Sequence, residues 1–151
     1  MLARQGCSIF TVEIQIEHIF RLVSGVYSEV PIGRVPIEAR NYLGCVTSAV
    51  YLTDLTAQKI LQKHGRKVRL AEFQTIPAAL ERGLWISDTS RGDTLCCSVW
   101  YWDQVRELRF IAGVKTTKSR HRLLLTTFHI GGKRQVKSLL RKGKILRNHA
   151  Q

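Results

Sequence analysis

Residues 108–151 contain no aspartate or glutamate. The chain also lacks any run near the roughly 18 apolar residues that a membrane-spanning helix needs. It has no CxxC pair, no HExxH and no GxxxxGK[ST] loop. Spanning a bilayer, an NTP-binding P-loop and the common zinc signatures are thereby excluded, and neither metal nor cofactor is expected. Internal repeats and low-complexity segments are missing too. The first twenty residues carry Arg4, Glu13 and Glu17 with no unbroken apolar stretch, so no secretory signal is visible. The four cysteines, Cys7, Cys45, Cys96 and Cys97, have no histidine at ligand spacing. They are expected to be reduced, buried thiols of a cytoplasmic protein.

The acid-free segment is dense in cations. Residues 1–107 hold 12 Lys/Arg against 11 Asp/Glu, a net of +1, whereas residues 108–151 hold 12 Lys/Arg and account for the remainder of the chain's +13. A solvated surface ordinarily mixes signs, and a block of one sign repels itself unless phosphates neutralise it. The block has no broad apolar face for entering a headgroup layer. Nucleic acid, RNA first, is therefore the expected partner. A membrane is not.

With 151 residues and 44% hydrophobic content, the chain can bury a core. Residues 9–23 fit a strand or a helix equally well. Val30–Pro36, punctuated by Pro31, Gly33 and Pro36, suggests an extended connector, and a short helix over Ile37–Leu43 ends at Gly44. Thr53 or Asp54 caps a helix whose apolar face is Leu55, Ile60 and Leu61, with Gly65 as its C′ residue. A second helical stretch covers roughly 70–82, with Pro77 kinking it or starting a new turn. The period then switches to strands at Leu84–Asp88, Leu95–Trp102, Glu107–Lys115 and Arg122–Ile130. Turns this short require antiparallel pairing. Gly131-Gly132 ends the last strand, and a short basic amphipathic helix follows until Gly143. The expected fold is α+β, with N-terminal helices on one face of a four-stranded antiparallel sheet and the opposite face open.

Alternation places Phe110, Ala112 and Val114 on a core face and turns Lys115 towards the open groove. In the last strand both faces are mixed. Thr127 and His129 are assigned to the groove because Phe128 and Ile130 suit the core. Of the five histidines, His64 closes a helix and His129 sits beside Thr127, while His121 lies in a basic turn and suits a phosphate contact. His18 and His149 look incidental. Metal-free RNA cleavage needs a base for the ribose 2′-OH, an acid for the leaving 5′-oxygen and cations around the phosphorane. Histidine can take either proton role near neutral pH, and Lys or Arg supply the charge.

Several segments of residues 46–147 resemble the phage- and mobile-element branch of the barnase–EndoU–colicin–RelE nuclease group. They are Val50-Tyr51-Leu52-Thr53 leading to Lys63-His64-Gly65, the helix at Ile76-Pro77, the strand ending Val114-Lys115, and Leu124–His129 before a basic tail. The resemblance implies a metal-independent endoribonuclease of toxin or phage type. It carries the site onto His64, Lys115 and Thr127, and further onto Thr126 and His129. On this basis residues 1–45 are an N-terminal extension of undetermined structure and 46–151 the nuclease domain.

The resulting expectation is cleavage of RNA to a 2′,3′-cyclic phosphate. His64 is base or acid, His129 the second proton carrier, Lys115 the phosphate clamp, and Thr127 a positioning hydroxyl. Arg91, Arg120, His121, Arg122, Thr126, Lys133, Arg134 and Lys137 would hold the strand. An acidic immunity or antitoxin protein is a further candidate partner. The rivals are a non-catalytic nucleic-acid-binding module and a phage structural or assembly protein. Tyr51, Trp85, Trp100 and Trp102 are candidates for stacking bases, set against the commoner fate of strand aromatics, which is the core.

Overall fold

In the computed structural model, residues 14–88 and 95–148 are described. The turn at residues 90–93, and Arg91 with it, lies outside them, as do Cys7 and His149. The helices are α1 Ile16–Val23, α2 Ile37–Leu43, α3 Asp54–His64, α4 Ile76–Arg82 and α5 Lys133–Lys142. The strands are β1 Glu29–Arg34, β2 Ala49–Thr53, β3 Leu84–Asp88, β4 Cys96–Asp103, β5 Leu108–Thr116, β6 Leu123–Ile130 and β7 Ile145–Arg147, with a 3₁₀ turn at Glu72–Thr75.

The strands β3 to β6 pair antiparallel in sequence order. The expectation of a four-stranded antiparallel sheet with helices on one face is nevertheless wrong. The sheet has seven strands in the order β1-β2-β6-β5-β4-β3-β7, and β2 lies parallel to β6. One added strand was concealed by its own chemistry. Pro31 has no N–H to give, so Val30–Pro36 resembles a connector, but β1 is an edge strand, where proline is tolerated. At the other edge β7 is only three residues long.

One sheet face carries the core. Phe110, Ala112 and Val114 are fully or almost fully buried there, with Trp85, Val99, Leu123, Leu125 and Phe128. Ile19 and Leu22 of α1, Leu43 of α2, Ala57 and Ile60 of α3, and Leu80 of α4 belong to the same cluster. The Phe110 and Phe128 rings stack with centroids 5.0 Å apart. The opposite face is not bare. The basic helix α5 crosses part of it, and beyond its end a Cβ on Gly143 would come within 2.6 Å of Ile86 Cγ2.

Mixed sidedness in β6 has a local cause. Val114 pairs with Leu125 and Gly113 with Thr127, so Thr126 is an extra residue, a β-bulge. The extra residue resets the alternation. Leu123 and Leu125 precede it on the core face, and Phe128 follows on that same face. Thr126, Thr127 and His129 all line the hollow on the other side. Gly113 leaves room for the two threonines, since a Cβ there would lie 2.5 Å from Thr126 Oγ1 and 3.1 Å from Thr127 Cγ2.

Candidate functional site

The site forms where α3 meets the C-terminal half of β6. β2 pairs with β6 only at Val50–Leu123 and Tyr51–Leu124. Past Leu124 no strand among the described residues pairs with that flank of β6, and α3, which starts directly after β2, packs along β6 instead. The Thr53 hydroxyl accepts from the Thr56 backbone N–H at 3.3 Å and so caps the helix where it leaves the sheet. Gly65, expected in a left-handed C′ conformation, stays right-handed at φ −62°. The His64 carbonyl accepts from the backbone N–H groups of Lys67 and Val68, which prolongs the turn.

This path brings two distant histidines together. The rings of His64 and His129 stack with centroids 5.0 Å apart and planes inclined by 23°. Thr127 Oγ1 lies 3.5 Å from His129 Nδ1, at the outer limit of a hydrogen bond, and so engages one ring nitrogen. Burial, and then the positive charge of His64, hold His129 below the ordinary histidine range. Imidazoles this close resist carrying two protons at once.

Two hollows meet at His129. The first, about 660 Å³, is lined by Lys63, His64, Arg66, Lys67, His129 and Gln135, with no carboxylate among its described residues. The second, about 250 Å³, runs beneath α5 past Ser98, Gly113, Thr126, Thr127, Gln135 and Ser138. His129 and Gln135 belong to both. Among the described residues, no three His, Cys, Asp or Glu side chains are grouped so as to hold a metal ion.

The remaining sequence candidates separate into groups. Lys115 is on the groove face but pairs with Cys96 and Leu124. Ile111, which faces His129, is four residues up the strand, about 14 Å at ordinary strand rise. Lys115 lines neither hollow at His129. Arg120, His121 and Arg122 occupy the β5–β6 turn at the far end of β6 from His129, roughly 20 Å away by strand rise. Arg120 donates from Nη1 to the Leu43 carbonyl at 3.1 Å. Arg122 donates to Glu29 Oε2 at 2.6 Å and lies over the Tyr51 ring, 4.5 Å from its centroid. Lys133, Arg134 and Lys137 are exposed on α5.

Lys63, Arg66 and Lys67 were not singled out from the sequence. Their signal was present in the run Lys63-His64-Gly65-Arg66-Lys67, overshadowed by the larger basic block downstream. Three of the cysteines, Cys45, Cys96 and Cys97, are buried. Burial pushes the Cys97 thiol up to about 12, far from a reactive thiolate. No helix among the described residues is long and apolar enough to cross a membrane.

No protein-family model, curated protein or solved structure matches the chain.

Proposed function

We propose that the protein is an endoribonuclease that works without a metal, cutting RNA by attack of the ribose 2′-OH on the adjacent phosphate. The observation that carries this reading is the His64–His129 pair, set in a hollow walled by Lys63, Arg66 and Lys67, with no carboxylate among its described residues. With no acidic side chain among the described residues of that wall, proton transfer falls to the imidazoles. His129, held towards its neutral form, takes the 2′-OH proton. His64 stands at the C-terminal end of α3, the end of a helix that favours positive charge, and delivers a proton to the leaving 5′-oxygen. Thr127 orients the His129 ring, and the neighbouring cations meet the charge that builds on the phosphorane. The products are a 2′,3′-cyclic phosphate and a free 5′-hydroxyl. The site is smaller than the one expected from sequence, since the clamp role passes from Lys115 to Arg66 and Lys67.

A second reading has its own support. Cations stand at both ends of β6, Arg120 and Arg122 before it and Lys133, Arg134 and Lys137 on α5 after it, in addition to those around the histidines, as suits a module that only holds nucleic acid. Incubation with total RNA in EDTA separates the two. Cleavage that disappears in His64→Ala and in His129→Ala supports the nuclease. RNA that stays intact at every pH, with the protein folded, overturns it and leaves the binding module.

A further inference from the structure

Trp100 and Trp102 occupy alternate positions of β4 and share the sheet face of His129. Trp100 pairs with Ile111, and Ile111 with His129, which sets the three in one row across β4, β5 and β6. Trp102 pairs with Arg109 in the next row, and the Arg109 carbonyl accepts from the Gly131 backbone N–H at 2.9 Å. The Arg109 guanidinium lies over the Trp102 ring, 5.1 Å from its centroid. At strand spacing, Trp100 is about 10 Å from His129 and Trp102 only slightly farther.

These rings differ from Trp85. Trp85 is fully buried and its indole donates to the Leu80 carbonyl at 2.9 Å, so it belongs to the core. Trp100 and Trp102 instead line a hollow of about 510 Å³ with Arg82. The hollow forms where β3 begins, at Leu84 opposite Trp100, since no strand among the described residues pairs with residues 101–103 on that side. The indole N–H of Trp100 is buried there with no acceptor among the described residues. Asp103, the one carboxylate among the hollow's described residues, is already engaged by Arg106 at 3.4 Å and by the backbone N–H groups of Val105 and Arg106. Between this hollow and the histidines, Gly131 is buried against Ile111 and Gln135, whereas Gly132 is exposed and a Cβ there would meet nothing within 4 Å.

We propose that Trp102 and Arg109 form a subsite for an unpaired nucleotide flanking the cleaved bond. The base stacks on the Trp102 indole, and its phosphate meets the Arg109 guanidinium, with Arg82 farther along the same track. The proposal rests on the nuclease reading above for its direction, and it narrows the substrate to single-stranded RNA long enough to reach from His129 to Trp102. Stacking on an aromatic ring accepts any base, so the subsite selects for strandedness and length, not for sequence.

The test compares a dinucleoside monophosphate with a longer unstructured oligoribonucleotide, in wild type, Trp102→Ala, Trp102→Phe and Arg109→Ala. The advantage in kcat/KM of the longer substrate should fall roughly five- to hundred-fold in Trp102→Ala, through KM, and be largely kept in Trp102→Phe. An advantage unchanged in Trp102→Ala, or no advantage in wild type, overturns the subsite while the nuclease stands. Binding of oligodeoxythymidine, which has no 2′-OH, is read in parallel by tryptophan fluorescence. Quenching present in wild type and lost in Trp102→Ala, together with absent RNA cleavage, keeps the subsite and removes the nuclease. Absence of both cleavage and quenching overturns both. Circular dichroism and the buried Trp85 signal check that each variant is folded.

Discussion

The imidazole of His129 lies against that of His64 with centroids 5.0 Å apart, the second from a helix and the first from the strand that helix flanks. No carboxylate is among the described residues that wall the hollow they share. Single substitutions at either ring should lower kcat by about 10²- to 10⁴-fold, the usual range for a lost proton-transfer group. The double variant should be scarcely worse than either single one, because two groups acting on one proton inventory are not additive. Single-turnover cleavage of a defined RNA measures both.

The pair also fixes a pH response. His129 is held low by burial first and by His64 second, so the unfolded chain takes up its proton more readily than the folded one does. Stability from the neutral ring is complete above the ordinary histidine value. It is lost as pH falls through that value towards the depressed one, and levels off below it. Urea unfolding in neutral and in mildly acidic buffer should show this loss in wild type and a smaller one in His129→Gln. The His129 ring signal, followed by NMR in His64→Ala, should titrate at a higher pH than in wild type. An unchanged midpoint would remove His64 as a cause.

Deletion of Thr126 tests whether the bulge aims the site. Without this residue Leu125 still pairs with Val114 and Thr127 with Gly113, so both faces keep their side chains and the ladder becomes regular. The fold should therefore survive, with a melting temperature within a few degrees of wild type. A bulge bends and twists its strand, and losing it reorients the residues on its C-terminal side. A displacement of His129 by about 1 Å costs on the order of 10²-fold in rate. Activity retained in a folded deletion variant would show that the bulge serves packing alone.

The same bulge explains how far the sequence could be read. Four strands from Leu84 to Ile130 were legible because alternation and polar turns mark them, and α2 and α5 because Gly44 and Gly143 stop them. Alternation carries no sign of an inserted residue, so β6 looked mixed on both faces, and only the affinity of Phe128 and Ile130 for the core turned Thr127 and His129 towards the groove. β1 was concealed by Pro31, and β7 by its length. The parallel pairing of β2 with β6 left no local trace at all, being a tertiary choice. It is also the choice that ends after Leu124, gives α3 its place along β6 and delivers His64 to His129. Lys115 shows the converse. Its face was legible but its distance along the strand from the histidines was not, because that depends on which residue of β6 it opposes.

Cations divide accordingly. Arg66 and Lys67 line the histidine hollow, whereas Arg122 is bonded to Glu29 and lies over Tyr51. Arg66→Ala and Lys67→Ala should each reduce the salt dependence of binding to single-stranded RNA by about 0.7 in log–log slope, the share of one phosphate. Arg122→Ala should leave that slope nearly unchanged and act on stability instead, weakly, as a solvent-screened pair does. A slope that falls as much in Arg122→Ala as in Arg66→Ala would place the strand along the β5–β6 turn instead.

Thr53 offers a way to part stability from chemistry. Its hydroxyl caps α3 at the end opposite His64, through the Thr56 N–H. Thr53→Ala removes one acceptor from the first turn, at a cost of about 1 kcal/mol. In a chain of this length that lowers the melting temperature by roughly 2–4 °C. His64 is held by other means: Ala57 and Ile60 bury the helix against the core, and the ring rests on His129. Cleavage per folded molecule should therefore stay within about twofold of wild type, while His64→Ala does the reverse, leaving the melt nearly in place and removing the activity. A Thr53→Ala protein that stays folded but loses its cleavage would mean that α3 has to be anchored at its first turn for the two imidazoles to meet.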